Sequence, residues 1–96
     1  AIKDLALVVD DTEPAEAVRQ AVEEVALKVG SGVFDVDPVS IFDLFQGKGL
    51  PEGKKSVACS MRLRATDRTL SEKEVNRAFD SIVEKIQADT PYELRK

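Results

Sequence analysis

The stretch from Ser56 to Arg64 alternates without a break: Val57, Cys59, Met61 and Leu63 fall on one side of an extended chain, and Ser56, Ala58, Ser60, Arg62 and Arg64 on the other. A period of two excludes a helix there. It requires a sheet with one apolar face buried under a second layer and one face left open. The covering layer is also visible. Val18, Ala21, Val22, Val25 and Val29 recur at helical spacing after Pro14, with Thr12 or a neighbour as the expected cap and Gly30 and Gly32 as the stop. Ser71 with Glu74 forms a capping-box pattern ahead of Val75, Phe79, Ile82, Val83 and Ile86, which share one face of a second helix running to about Ala88.

The remaining segments complete the order. Leu5 to Val9 is a short apolar run of strand length, closed by Asp10-Asp11-Thr12. Val36 to Phe45 is β-branched and aromatic but interrupted by Asp37-Pro38, so pairing is expected from near Val39. Gly47 to Gly53 is turn chemistry, and Tyr92 to Arg95 is long enough for one closing strand. The order βαββαβ predicts an α+β ferredoxin-like sandwich: a four-stranded antiparallel sheet with two helices on one face and the first and third strands central. The open face should then display Ala6, Val8, Ser56, Ala58, Ser60 and Arg62. Its centre is small and shallow, so a flat ring or a backbone can come close.

The chain has 96 residues, too few for two independent cores, so residues 1–96 are expected to form one domain. Its start at Ala1, almost directly in a strand, suggests a fragment of a longer chain. With no His and a single Cys, neither a histidine metal site nor a Ser-His or Cys-His couple can be assembled, and no internal disulfide can form. No apolar run approaches the ~18 residues of a membrane span, and no leader precedes the first charges, so the chain reads as cytoplasmic with no membrane partner. The net charge of −4 is unevenly placed: residues 1–45 carry three basic and ten acidic side chains, and residues 46–68 six basic and two acidic. Lys48, Lys54, Lys55, Arg62, Arg64 and Arg68 are therefore candidates for a local cationic patch.

Several ordered motifs carry a resemblance. They are Asp4-Leu5-Ala6-Leu7-Val8-Val9-Asp10, Phe42-Asp43-Leu44-Phe45-Gln46-Gly47, Leu50-Pro51-Glu52-Gly53-Lys54-Lys55-Ser56, Asp67-Arg68-Thr69-Leu70 with Glu74-Val75-Asn76, and Glu93-Leu94-Arg95. Together they resemble the ferredoxin-fold anticodon-binding domain that ends the bacterial phenylalanine–tRNA ligase β subunit. The resemblance implies a non-catalytic domain that grips the anticodon stem-loop of a tRNA. It further implies a class II ligase in which an α subunit joins phenylalanine to that tRNA with ATP and Mg²⁺, an α2β2 assembly, and no cofactor within this domain. The family's anticodon-contacting positions fall on Ala6, Phe45, Ser56 and Arg95, and Arg62 joins them as an open-face cation. Phe45 would stack on a base, Ser56 hydrogen-bond a base edge, Ala6 leave room, and Arg95 meet a phosphate or a base edge. Strand parity agrees for Ala6, Ser56 and Arg95, and for Phe45 if Phe42 and Leu44 point into the core. The family commonly has Tyr where Phe45 stands and Arg where Gln46 stands.

Readings from other classes meet obstacles of different weight. A phosphatase on this fold needs a cationic phosphate cradle after the first strand, where Asp10-Asp11 would repel the substrate. A common RNA-recognition module carries aromatics on its central strands, and Leu5 to Val9 and Ser56 to Arg64 hold none. The alternative that stays open is a ferredoxin-like regulatory or protein-interaction domain that docks a partner on the open face.

Overall fold

A computed structural model of the chain describes residues 2–31, 33–65 and 70–95. Its elements are β1 (Ile2–Asp10), α1 (Ala15–Gly30), β2 (Asp35–Val36), β3 (Ser40–Phe45), β4 (Lys54–Arg64), α2 (Glu72–Asp89) and β5 (Glu93–Leu94). β1 and β4 form the centre, paired antiparallel from Ile2 opposite Arg62 to Asp10 opposite Lys54. β5 flanks β1, while β2 and β3 both flank β4, every pair antiparallel. The expected ferredoxin-like sandwich is therefore present, with the second of its four strands delivered in two pieces.

The break in that strand has a local cause. Pro38 has no N–H to give to β4, and the backbone around it turns to α1 for partners. Val39 N donates to Glu23 Oε1 at 3.0 Å, and Arg19 Nη1 donates to Val39 O at 3.1 Å. Val39 is buried there, and pairing resumes at Ser40.

Both helices lie on the side of the sheet where β1 and β4 present their apolar residues. Leu5, Leu7 and Val9 from β1 and Val57, Cys59, Met61 and Leu63 from β4 meet Val18, Val22, Val25 and Ala26 from α1 and Val75, Ile82 and Ile86 from α2. Removing one large side chain of this kind from water is worth about 1.5–3 kcal/mol, which makes this layer the source of stability. Phe79 and Val83 are only half-buried. Phe79 lies near the start of β1, with Lys3 Nζ 5.7 Å from its ring centroid, and lines a surface hollow with Leu94 of β5.

The helix starts differ from each other. Ser71 Oγ accepts from Glu74 N at 3.2 Å and the Glu74 side chain accepts from Ser71 N at 3.2 Å, so the capping box forms as expected. At α1 the cap position belongs to Pro14 and carries no side-chain cap; Thr12 lies in the preceding turn and does not serve. The Pro14 carbonyl accepts from Ala17 N and Val18 N instead. α1 ends at Gly30, where a Cβ would sit 2.7 Å from the Phe34 ring. Gly32, the second expected stop, lies outside the described residues, as do Asp67, Arg68 and Thr69.

Candidate nucleic-acid interface

The register assigns the open face row by row. Phe45 of β3, Ser56 of β4, Val8 of β1 and Glu93 of β5 are direct cross-strand partners; the next row holds Asp43, Ala58 and Ala6. Arg95 follows β5 and is pinned beside that second row, its N–H donating to Ala6 O at 2.8 Å. From there its guanidinium carbon comes to 5.0 Å from the centroid of the Phe45 ring. Neighbouring strands lie about 4.8 Å apart, so the two side chains must bridge β1 and β4 to meet. The short side chains of Ala6, Ala58 and Ser56 leave them room to do so.

This bridge corrects one expectation. Ser56 faces away from the core, as its parity requires, but it is 3% exposed rather than open. Phe45 is its cross-strand neighbour, and the Arg95 guanidinium lies over the Phe45 ring. Phe45 keeps 37% of its surface exposed and Ala6 is half-buried. Ala6, Phe45, Ser56 and Arg95 thus converge on two adjoining rows of the open side of the sheet.

Arg62 is not among them. It stands opposite Ile2, six positions along β4 from Ser56, or about 20 Å away. Its Nε lies 3.9 Å from Asp37 Oδ2, while Arg64 Nε and Nη2 donate to Asp37 Oδ1 at 2.9 and 2.6 Å. Among the described residues, Arg62 and Arg64 therefore share Asp37 rather than stand in an open cationic patch. Lys54 Nζ meets Asp10 Oδ1 at 2.6 Å. The hydrogen bond to Asp10 raises the Lys54 pKa above its ordinary value, with Asp10 and Glu93 adding charge attraction. Lys48 lies in the loop after β3, Lys55 has the parity of the helix-covered face, and Arg68 lies outside the described residues. Lys54, Arg62 and Arg64, close in sequence to other cations, are thus drawn into ion pairs with Asp10 and Asp37 from other parts of the chain.

β3 also departs from expectation. Its register slips between Ile41, opposite Cys59, and Asp43, opposite Ala58, leaving Phe42 as the extra residue of a β-bulge. Phe42 is 59% exposed and lines an open hollow of about 330 Å³ with Asp4, Ala6, Ala58 and Arg95. It therefore does not point into the core. Leu44 has core-side parity, yet it is 57% exposed. Phe45 keeps the open face because the bulge, rather than strict alternation, sets its parity. No simple sequence signal marks such a bulge, nor the bridging of Arg95 to Phe45.

Cys59 offers no reactive centre. It is fully buried, and burial pushes its thiol up to about 11, against the pull of the Arg19 guanidinium. Among the described residues no group of three or more His, Cys, Asp or Glu side chains could hold a metal ion, and no helix is long and apolar enough to cross a membrane.

Fold and open face together define a ferredoxin-fold domain whose uncovered sheet face is its candidate binding surface. The model of the ferredoxin-fold anticodon binding domain matches residues 1–95, and the chain belongs to this family. It is 49% identical over 76 residues to the phenylalanine–tRNA ligase β subunit of Corynebacterium glutamicum, a match covering 79% of this chain and 8% of that protein. The β subunits of Thermobifida fusca (45% identity, 86% of this chain and 9% of that protein) and Syntrophotalea carbinolica (36%, 97% and 11%) are similar to it as well. The chain thus spans about a tenth of the length of these curated relatives.

Proposed function

We propose that the open face grips the anticodon stem-loop of a tRNA, as the non-catalytic RNA-binding domain of a phenylalanine–tRNA ligase β subunit. The observation that carries this reading is the convergence of Ala6, Phe45, Ser56 and Arg95 on two adjoining rows of the sheet, with the ring and the guanidinium already in contact. Aromatic rings and arginine planes are the surfaces on which unpaired bases stack. A base reaches Phe45 either by replacing the Arg95 guanidinium or by extending the stack that it begins. Arg95 then turns to a phosphate or a base edge, and the small floor lets the nucleotide approach the backbone. Arg62 remains a proposed RNA contact on the same face, outside this cluster.

The larger enzyme belongs to the same proposal. An α subunit would join phenylalanine to the tRNA in an α2β2 cytoplasmic ligase, with ATP and Mg²⁺ held outside this domain. The residues here bind and orient RNA; they supply no group to the adenylation step. A partner-docking domain is the competing reading, and it draws on the exposure of Phe42 and Leu44.

Titrating the chain with an anticodon stem-loop RNA over a range of salt separates the two. RNA affinity that falls with salt and drops on Phe45→Ala supports the anticodon reading. Absence of RNA binding with salt-insensitive self-association supports the other.

A further inference from the structure

The bulge in β3 places a second aromatic on the open face. Phe42 and Phe45 are three residues apart, roughly 10 Å along the strand. A regular strand would send them to opposite faces. The register slip between Ile41 and Asp43 removes that consequence, and Phe42 lines the hollow together with Ala6, Ala58, Asp4, Arg95 and the apolar side chains of Phe79 and Leu94. Bulges commonly re-aim a side chain in this way. An aromatic that is 59% exposed beside a small-residue floor contributes little to the core.

We infer that Phe42 is a second base-stacking platform, taking the nucleotide next to the one on Phe45, with Arg95 between them. This rests on the anticodon reading of the same face, and the occupant follows from continuity with it. The hollow shares Arg95 with Phe45, and its mostly apolar lining, with the Phe42 and Phe79 rings, Arg95 for a phosphate and Asp4 for a base amino group, suits a nucleotide better than an acidic peptide. The two bases are splayed apart by the separation of the rings, as unpaired loop bases are when protein side chains read them. Arg95 lines the hollow and also touches the Phe45 ring, so one side chain spans both base positions.

The test uses the 96-residue chain and anticodon stem-loop RNAs carrying 2-aminopurine at one loop position at a time. The expected result is two adjacent loop positions whose fluorescence is quenched on binding. Phe42→Ala should restore emission at one of them and weaken binding roughly 5- to 150-fold, while Phe45→Ala does the same at the other. Phe42→Leu, which keeps apolar bulk without a ring, should also restore the emission, and neither Phe42 variant should shift the urea midpoint appreciably. If Phe45→Ala weakens binding but both Phe42 variants bind and quench as wild type does, the second platform is refuted while the anticodon reading stands. If no RNA binding is seen with any protein, the anticodon reading itself fails. A concentration-dependent dimer abolished by Phe42→Ala would assign this patch to a second copy of the chain and overturn the inference.

Discussion

The Arg95 guanidinium rests 5.0 Å from the Phe45 ring centroid although two strands separate the elements that carry them. A cation over an aromatic face at such a site is worth about 0.5–1 kcal/mol where solvent reaches it. That is small enough for an incoming base to displace, and large enough to hold both side chains in place beforehand. Preorganisation of this kind lowers the entropy lost on binding.

The floor beneath the pair yields a first prediction. Ala58→Leu puts a branched side chain where the bridge and the hollow need space, while Val57 and Cys59 keep the core intact. RNA binding should fall at least tenfold, and the urea midpoint should move little. A variant that binds RNA normally would mean that the nucleotide does not approach this floor.

Stability should follow the core layer. Ile82→Ala removes a fully buried side chain between α2 and the sheet and should cost about 2–5 kcal/mol. Arg64→Ala, which removes an exposed ion pair with Asp37, should cost no more than about 1 kcal/mol. Phe79→Ala should fall between them because the ring is half-buried. Urea titrations of the three variants check the ranking.

The capping box can be tested by itself. Ser71→Ala removes the acceptor for Glu74 N and should destabilise by about 1 kcal/mol. Thr12→Ala should have no comparable effect, since α1 begins at Pro14 without a side-chain cap.

At alkaline pH the shifts act in one direction. Cys59 is raised from 9.0 to about 11 by burial, and Tyr92 is raised by burial and by Glu13. A group whose folded pKa lies above its unfolded value holds its proton more tightly when folded. The stability it contributes is full below the unfolded pKa and is lost as pH rises through the folded one. Unfolding free energy should therefore decline from about pH 9 upward, Cys59 alone contributing on the order of 2–3 kcal/mol across its interval. Native protein near neutral pH should resist alkylation by iodoacetamide, and urea-unfolded protein should react. Rapid alkylation of the native thiol would contradict the burial of Cys59.

Much of this architecture is legible in the residues. The alternation from Val57 to Leu63 and the helical spacing of Val18, Val22 and Val25 are local consequences of burial on one side, so pattern reveals them. Ser71 and Glu74 act over a single turn, and their box forms as read. The site is less legible because its features are tertiary. Ser56 is buried although its parity turns it to the open face, where its neighbour in register is Phe45 of another strand. Phe42 turns outward because of a register slip that depends on β4. The cations of residues 46–68 were visible, but Asp10 and Asp37, which pair with Lys54 and Arg64, come from distant parts of the chain.

The decisive measurement is the affinity of the chain for an anticodon stem-loop RNA as a function of salt, for wild type, Phe45→Ala and Arg95→Ala. With a net charge of −4 and most open-face cations already paired, wild-type binding should be weak and should fall with salt by a log-log slope of about −0.7 to −0.9 per phosphate met. Phe45→Ala should lose about 1–3 kcal/mol of binding with that slope unchanged, because stacking carries no charge. Arg95→Ala should flatten the slope by about one phosphate if the guanidinium meets the backbone, or hold the slope and lose discrimination among loop bases if it reads an edge. Wild-type affinity for the stem-loop that neither substitution alters would contradict an open face built to hold the anticodon.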